Sequence, residues 1–219
     1  MKVNTDGVLL GALAIGSNEA TILDIGTGTG VIALMLAQRF PDAHITAVEL
    51  DETAAKTAGA NFSASAFASS LSLHTESFQQ YFAENLNERF DLIVSYPPFY
   101  IQSLPSPDAE KSLAKHADEG FFKQLITNCT THLTPKGCLW LILPLNTSAK
   151  VKQLAHSRNL FLQQVISIQS YLHSAPHREI LVLSRCETEV IEQRLVIYNN
   201  PKVYTDAYKG VLKDFLIIF

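Results

Sequence analysis

Short apolar runs alternate with stretches of helical spacing along most of the chain, and this alternation constrains the fold most. Five runs resemble buried strands in length and residue type, namely Thr21–Gly26, His44–Leu50, Leu71–His74, Asp91–Ser95 and Cys138–Leu143. Strands separated by helices predict a parallel sheet with helices on both faces. Phe161–Ser170 and Ile180–Arg185 flank a turn and predict an antiparallel hairpin at the edge of that sheet. The pattern predicts a doubly wound α/β fold.

The length of the chain fits one domain with a full core. A chain of 219 residues, 47% of them hydrophobic, can bury one large α/β core. No linker divides the chain, so residues 1–219 are predicted to form a single domain. The irregular segment 101–115 contains two prolines and is predicted to be a lid-like loop. Residues 190–219 are predicted to be a C-terminal extension that packs on the domain.

Net charge and cysteine content limit the cellular compartment and the binding partners that can be expected. The net charge of -4 provides no global basic field, so any RNA contact would need a local basic patch. Three widely spaced cysteines predict neither a disulfide framework nor a zinc site. No stretch approaches the roughly 18 apolar residues that a membrane span needs. We therefore expect a cytoplasmic, monomeric protein without a metal ion.

A glycine-rich turn joins the first predicted strand to the first helix after it. Gly26, Gly28 and Gly30 recur at every second residue after Asp24, and glycine lets the backbone approach a ligand because no Cβ intervenes. The spacing GxGxG is one residue shorter than the dinucleotide fingerprint GxGxxG. Glu49 ends the second strand, where an acidic side chain can hold two ribose hydroxyls. A plain strand–helix connection would explain the turn alone, but together these features favour a nucleoside cofactor.

The acid beside that turn discriminates between cofactors. Asp24 would repel the pyrophosphate of a dinucleotide, whereas it would attract a positively charged group. S-adenosylmethionine carries a sulfonium and an ammonium group and no phosphate. The distribution of charge therefore favours S-adenosylmethionine as the cofactor.

The stretch Phe90–Tyr100, FDLIVSYPPFY, predicts a rigid platform at the end of the fourth strand. Pro97 and Pro98 stop the strand because neither has an N–H group, and Phe99 follows directly. Ligands of an open parallel sheet bind beyond the carboxyl ends of its strands. A proline-fixed turn flanked by aromatic rings can hold a flat group against a cofactor there.

Several segments resemble one known family, and they span essentially the whole chain. The N-terminal MKVNTDGVLLGALA resembles the family pattern MKVGTDGVLLGAWA, although the family has a further run-in before it. AVELDETAA resembles ITAVELD, AKHADE (Ala114–Glu119) resembles ARHTDE, and YTDAYKGVLKDFLIIF resembles YTxEYxxLTKDFYLKF. Together with ILDIGTGTGVIALMLAQR and the Pro-Pro-Phe exit, these segments resemble the bacterial tRNA(Val) adenine-37 N6-methyltransferases, which are class I S-adenosylmethionine-dependent enzymes.

This resemblance implies a Rossmann-like sheet of seven strands, mostly parallel, and methyl transfer to the exocyclic N6 amine of adenine 37. The substrate would be the anticodon stem-loop of tRNA(Val). The resemblance further implies a set of residues that hold the cofactor: Thr5, Asp6, Asp24, Gly26, Gly28, Gly30, Glu49, Glu76 and Ser77. Motif residues at the site of methyl transfer are Tyr96, Pro97, Pro98 and Phe99.

Each part of the cofactor has its implied partners within that set. The resemblance implies that Asp24, Gly26 and Gly28 contact the methionine end and that Glu49 holds the ribose. The adenine ring would contact Glu76 or Ser77, at the end of the third strand. Thr5 and Asp6 would cover the cofactor from the N-terminal segment.

Tyr96 departs from the family motif, which reads Asn-Pro-Pro-aromatic. The asparagine carbonyl and the next backbone carbonyl are understood to accept both N–H groups of the amine, which localises charge on nitrogen as the methyl is transferred. A tyrosine hydroxyl lies farther out and is also a donor. Loss of one preorganised group typically costs roughly a hundred- to a thousandfold in rate. We therefore expect adenine methylation to be severely impaired in this sequence.

Alternatives of two classes, other enzymes and a silent binding protein, stay open at this point. The Pro-Pro-aromatic exit also occurs in protein glutamine N5-methyltransferases and guanine N2-methyltransferases, although the AKHADE and KDF segments favour the tRNA family. Because of Tyr96, a catalytically silent protein that binds the cofactor or RNA is the alternative from another class. The segments His177-Arg178 and Lys111–His116 are the candidates for RNA contact.

Overall fold

The computed structural model describes residues 4–17, 19–97 and 108–217, the last range with side chains from residue 120 onward. Its α-helices are α1 (Thr5–Leu13), α2 (Val31–Arg39), α3 (Glu52–Ala64), α4 (Phe78–Glu84), α5 (Asp108–His132), α6 (Leu145–His156) and α7 (Asp206–Leu212). Its strands are β1 (Thr21–Ile25), β2 (His44–Glu49), β3 (Leu71–Thr75), β4 (Phe90–Ser95), β5 (Leu133–Leu143), β6 (Phe161–Tyr171), β7 (Arg178–Ser184), β8 (Ile191–Asn200) and β9 (Val203–Tyr204).

The strands form one sheet with the order β3-β2-β1-β4-β5-β7-β6-β8-β9. The pairs among β1 to β5 are parallel, whereas β7 pairs antiparallel with both β5 and β6. Because β1 pairs with β2 on one side and with β4 on the other, the chain order reverses between β1 and β4. An open α/β sheet binds its ligands at the carboxyl ends of the strands beside such a switch point.

Alternate residues of the strands build a separate core on each face of the sheet. On one face, α1, α2, α3 and α7 cover side chains such as Ile22 and Leu92. On the other face, α4, α5 and α6 cover their neighbours Leu23 and Ile93. The predicted α/β fold with helices on both faces is confirmed.

The C-terminal part of the chain extends the sheet beyond the predicted hairpin. β8 pairs parallel with β6, and β9 pairs antiparallel with β8. The prediction of seven strands is therefore two strands short, and the β6–β7 hairpin lies inside the sheet rather than at its edge. The sequence of β8, IEQRLVIYNN, hides this strand because its first four residues, which β9 does not pair with, are exposed and include the charged Glu192 and Arg194.

The long helix α5 begins earlier than the sequence indicates. It starts at Asp108, within the segment that the sequence predicted to be irregular. Of the predicted lid-like loop 101–115, residues 101–107 lie outside the described residues, and the remainder belongs to α5. Within the described ranges, none of the helices is both long and apolar enough to span a membrane.

Candidate functional site

The loop from β1 to α2 is a glycine turn with left-handed backbone. Gly26, Gly28 and Gly30 have φ angles of 71°, 60° and 86°, which other residues adopt only at a cost. A Cβ atom at Gly30 would lie 2.4 Å from Cε1 of Phe62, so glycine is required where α3 packs against the turn. A Cβ atom at Gly26 would meet nothing within 4 Å. The turn is therefore tightly packed at Gly30, whereas its backbone at Gly26 is open to the approach of a ligand.

Asp24 lies beneath this turn and is completely buried. Its Oδ2 accepts a hydrogen bond from Oγ1 of Thr27 at 2.6 Å, which fixes the turn. Its Oδ1 is buried without a hydrogen-bond partner among the described residues. Burial raises the pKa of Asp24 from 3.8 to about 7. Because a nearby positive charge would favour the ionised form, Asp24 suits the cationic end of a ligand.

Glu49 reaches the glycine turn from the end of β2. Its Oε2 accepts a hydrogen bond from the N–H group of Gly28 at 2.7 Å. Its Oε1 accepts one from the N–H group of Asp51 at 2.9 Å. Two main-chain contacts therefore hold a partly exposed carboxylate beside the turn, where its remaining lone pairs can accept bonds from ligand hydroxyls.

The end of β3 brings Glu76 and Ser77 to the same edge of the sheet. Because β3 pairs with β2 as far as Glu49, the residues that follow β3 lie beside that carboxylate. Oγ of Ser77 accepts the N–H of Gln80 at 3.1 Å and caps α4. Oε1 of Glu76 lies 3.5 Å from Nδ1 of His74, while its Oε2 is buried without a partner among the described residues. This acceptor suits an N–H group of a nucleobase.

The residues after β4 lie on the other side of the crevice that is expected at the switch point between β1 and β4. We call this side the acceptor end. Oγ of Ser95 donates a hydrogen bond of 2.8 Å to the carbonyl of the last residue of β1, so the two strand ends are tied together. Tyr96 follows half-buried, and Pro97 is buried. Pro98 and Phe99, which complete the predicted motif, lie outside the described residues. Tyr96 thus stands at the switch point, where the motif asparagine was expected.

The N-terminal helix places Asp6 at the acceptor end. Oδ2 of Asp6 accepts a hydrogen bond of 3.3 Å from the Tyr96 hydroxyl and one of 2.8 Å from Nε of Arg178. Thr5 is exposed at the start of the same helix. Cover of the cofactor by Thr5 and Asp6 stays a prediction, and the contacts of Asp6 add a link to Tyr96 that the sequence did not indicate.

Arg178 belongs to the acceptor end, although the sequence suggested it only as an RNA contact. Its guanidinium group pairs with Asp6, and its side chain is 28% exposed. The two residues are separated by 172 positions, so no local pattern signals the pair. Next to it, burial and the charge of Arg178 lower the pKa of His177. RNA contact by His177-Arg178 stays a prediction. Both residues are partly buried, and Arg178 is paired with Asp6.

The predicted site residues that the structure describes lie at the carboxyl ends of β1 to β4 and in the first turn of α1, around the switch point. A cavity of about 430 Å³ lies between α1, α2 and α7, and another of about 340 Å³ lies over β6, β7 and β8. Neither is lined by a predicted site residue, so the crevice is recognised by its chemistry rather than by enclosure. Within the described ranges, no group of three or more His, Cys, Asp or Glu residues is placed to hold a metal ion.

Comparison with known proteins finds relatives along the whole chain. Residues 6–167 match the model of the methyltransferase small domain. A tRNA1(Val) (adenine(37)-N6)-methyltransferase of Pedobacter heparinus is 42% identical over 219 residues, covering 100% of this chain and 92% of that protein. The protein of the same name from Flavobacterium johnsoniae is 37% identical, covering 99% of this chain and 93% of that protein.

Solved structures share the fold at low sequence identity. A crystal structure of a predicted O-methyltransferase from Agrobacterium tumefaciens has a TM-score of 0.75 at 16% identity, covering 95% of this chain and 96% of that one. TrmN from Thermus thermophilus has a TM-score of 0.59 at 18% identity, covering 82% of this chain and 48% of that one. At these identities the likeness concerns the fold alone.

Proposed function

Because the chain belongs to the methyltransferase small domain family and to the tRNA1(Val) (adenine(37)-N6)-methyltransferases, we propose that it transfers a methyl group from S-adenosylmethionine to N6 of adenine 37 in tRNA(Val). The observation that carries the proposal is the convergence at the β1–β4 switch point. There the glycine turn, two acidic side chains and the exit of β4 meet. This is the place where an open α/β sheet binds a cofactor next to a substrate.

The first half of the crevice, which we call the cofactor end, fits S-adenosylmethionine in charge and in space. When bound, this cofactor supplies a methyl group activated by a sulfonium. Gly26 leaves the backbone bare for its approach, and the buried Asp24 offers an acceptor without a partner among the described residues. Glu49 is fixed beside the turn to hold ribose hydroxyls, and Glu76 or Ser77 would contact the adenine ring.

The acceptor end would hold the adenine amine against that cofactor. The carbonyl of Pro97 is the main-chain acceptor that the family motif provides, and Phe99 would stack on the extruded base. Tyr96 replaces the side-chain acceptor of the motif. Its bulky ring carries the oxygen farther from the strand end than an asparagine amide does, so we propose that methyl transfer is slowed severely in this sequence.

The other parts of the proposal concern organisation and RNA. Residues 1–219 act as one methyltransferase domain, with 101–115 as a lid-like segment and 190–219 as the C-terminal extension. The protein works as a cytoplasmic monomer on the anticodon stem-loop. Since the net charge is -4, RNA binding must depend on local basic segments such as Lys111–His116 rather than on a global field.

Incubation with radiolabelled S-adenosylmethionine and bulk tRNA that lacks the N6-methyl mark tests the function directly. We expect slow labelling of tRNA(Val), recovered as N6-methyladenosine from position 37. Label in another RNA as N2-methylguanosine, or in a protein as N5-methylglutamine, would contradict the proposed substrate and favour another planar amine.

A second function is favoured by one observation, the tyrosine at the motif position. A catalytically silent protein would bind the cofactor or the anticodon stem-loop without transferring a methyl group. Calorimetric titration with S-adenosylmethionine and then with the stem-loop distinguishes this function. Binding of both, with no label transferred even after prolonged incubation, would establish it in place of the enzyme.

A further inference from the structure

Three distant segments meet at the hydroxyl group of Tyr96. Oδ2 of Asp6, in the first turn of α1, accepts from the Tyr96 hydroxyl at 3.3 Å and from Nε of Arg178 at 2.8 Å. Tyr96 follows β4, and Arg178 begins β7. The side chains of Asp6 and Arg178 are only 15% and 28% exposed, so the ion pair between them is partly shielded from water.

The position of Asp6 is fixed from several sides. Asn4 caps α1 by accepting the N–H of Gly7 at 2.8 Å. Helix α1 packs against α2 and α7, and its residues from Gly7 to Gly11 are buried. Nη1 of Arg178 donates to the carbonyl of its own neighbour at 2.9 Å, so the guanidinium group is also held. The carboxylate is therefore preorganised, which allows it to orient a group that contacts it.

The direction of the hydrogen bond between Tyr96 and Asp6 determines which further hydrogen bonds the Tyr96 oxygen can form. A hydroxyl group has a single proton, and an ionised carboxylate can only accept. Oδ2 of Asp6 lies 2.8 Å from Nε of Arg178 and accepts from both groups that contact it. When the proton of Tyr96 points at Asp6, any further hydrogen bond at the Tyr96 oxygen must be one that the oxygen accepts.

We propose that Asp6 is a positioning residue that makes the Tyr96 oxygen an acceptor for an N–H group of the substrate amine. The inference rests on the proposed function and explains how part of the role of the motif asparagine is retained. The contact of 3.3 Å is longer than the usual 2.5–3.0 Å of such bonds. Asp6 therefore biases the hydroxyl rather than locking it, and its contribution to kcat is expected to be about five- to tenfold, as for one neutral hydrogen bond.

The test compares kcat for methyl transfer to tRNA in Asp6→Asn, Tyr96→Phe and the double variant. We expect each single change to lower kcat, and Asp6→Asn to have no further effect once the Tyr96 oxygen is absent. Asp206→Asn is the matched control, because Asp206 also lies in the first turn of a helix but is exposed and pairs with Lys209. The affinity for S-adenosylmethionine and the thermal midpoint are measured for every variant.

Three results would overturn the inference. Equal effects of Asp6→Asn with and without the Tyr96 oxygen would give Asp6 a purely structural role. If Asp6→Asn does not fold, Tyr96→Phe keeps both the ring and the ion pair, and a kcat equal to that of the unmodified chain refutes the proposal. A loss confined to cofactor affinity would assign Asp6 to the cofactor end.

Failure of the proposed function gives a different pattern. If neither the unmodified chain nor Tyr96→Asn methylates tRNA, the proposed function is contradicted. If Tyr96→Asn is active while the unmodified chain and Tyr96→Phe have the same rate, the function stands and the role of Asp6 is refuted.

Discussion

The two ends of the crevice are built in different ways. At the cofactor end, the geometry comes from main-chain conformation, with three glycines at positive φ and a carboxylate held by two backbone N–H groups. At the acceptor end, the chemistry depends on the side chain at one position, Tyr96. A glycine turn can change only together with its packing, whereas one side chain beyond a strand can be exchanged without altering the fold. Family membership therefore predicts the cofactor end more securely than the rate of the reaction.

Restoring the family asparagine at position 96 is expected to have the largest effect on activity. We expect Tyr96→Asn to raise kcat by roughly a hundred- to a thousandfold, because it returns a preorganised acceptor to the amine. Initial rates of label transfer to unmodified tRNA measure the change. Tyr171→Asn, at an exposed tyrosine on β6, is the control. Equal rates for Tyr96→Asn and the unmodified chain would refute the account of the acceptor end.

A substitution at Gly30 should show how strictly packing determines the cofactor end. Gly30→Ala is expected to lower the free energy of unfolding by about 3 kcal/mol, from left-handed strain and from the contact with Phe62. Chemical denaturation measures it. Gly26→Ala is the matched control, since its Cβ meets open space and only the backbone cost of about 1 kcal/mol applies. Equal losses in the two variants would show that Phe62 moves aside.

The buried Asp24 predicts an unusual dependence of stability on pH. Burial raises its pKa from 3.8 to about 7, so the native state keeps a proton that the unfolded chain releases. Its contribution is therefore most favourable below pH 4 and is lost as the pH rises to 7. Relative to Asp24→Asn, the unfolding free energy should fall by about 2 kcal/mol between pH 5 and 7. Parallel pH curves for the two proteins would contradict the burial of an ionisable group.

The smallest effect is expected at Glu49. Glu49→Gln should weaken binding of S-adenosylmethionine about tenfold, equivalent to about 1.4 kcal/mol, because a neutral amide makes a weaker acceptor for ribose hydroxyls. Calorimetry gives the affinity, and kcat at saturating cofactor should stay unchanged. The exposed Glu52→Gln in the first turn of α3 is the control. A lower kcat with unchanged affinity would move Glu49 to the acceptor end.

Local patterns were sufficient to predict most of the fold. The alternation of strands and helices placed β1 to β7, since each element carries its own apolar period. β8 was missed because its charged residues resemble a polar tail, and its stability depends on pairing with β6. The first part of α5 was predicted to be a loop because of the prolines that precede it.

The candidate site also has a part that local patterns predict and a part that they do not. The glycine turn and Glu49 are separated by a short stretch of chain, so one motif predicts both. The contact of Asp6 with Arg178 joins residues 172 positions apart. It follows from the position of β7 beside β5, which no local pattern specifies. A site formed by one supersecondary unit can therefore be predicted from the sequence more readily than a contact between two units.

The central claim is that the cofactor end is intact and independent of the residue at position 96. Titration of S-adenosylmethionine into this chain and into Tyr96→Asn tests it most directly. We expect both to bind one equivalent, with dissociation constants that agree within about twofold, as for independent sites. Binding by Tyr96→Asn with no binding by the unmodified chain would contradict the claim, because Tyr96 would then act by blocking the cofactor.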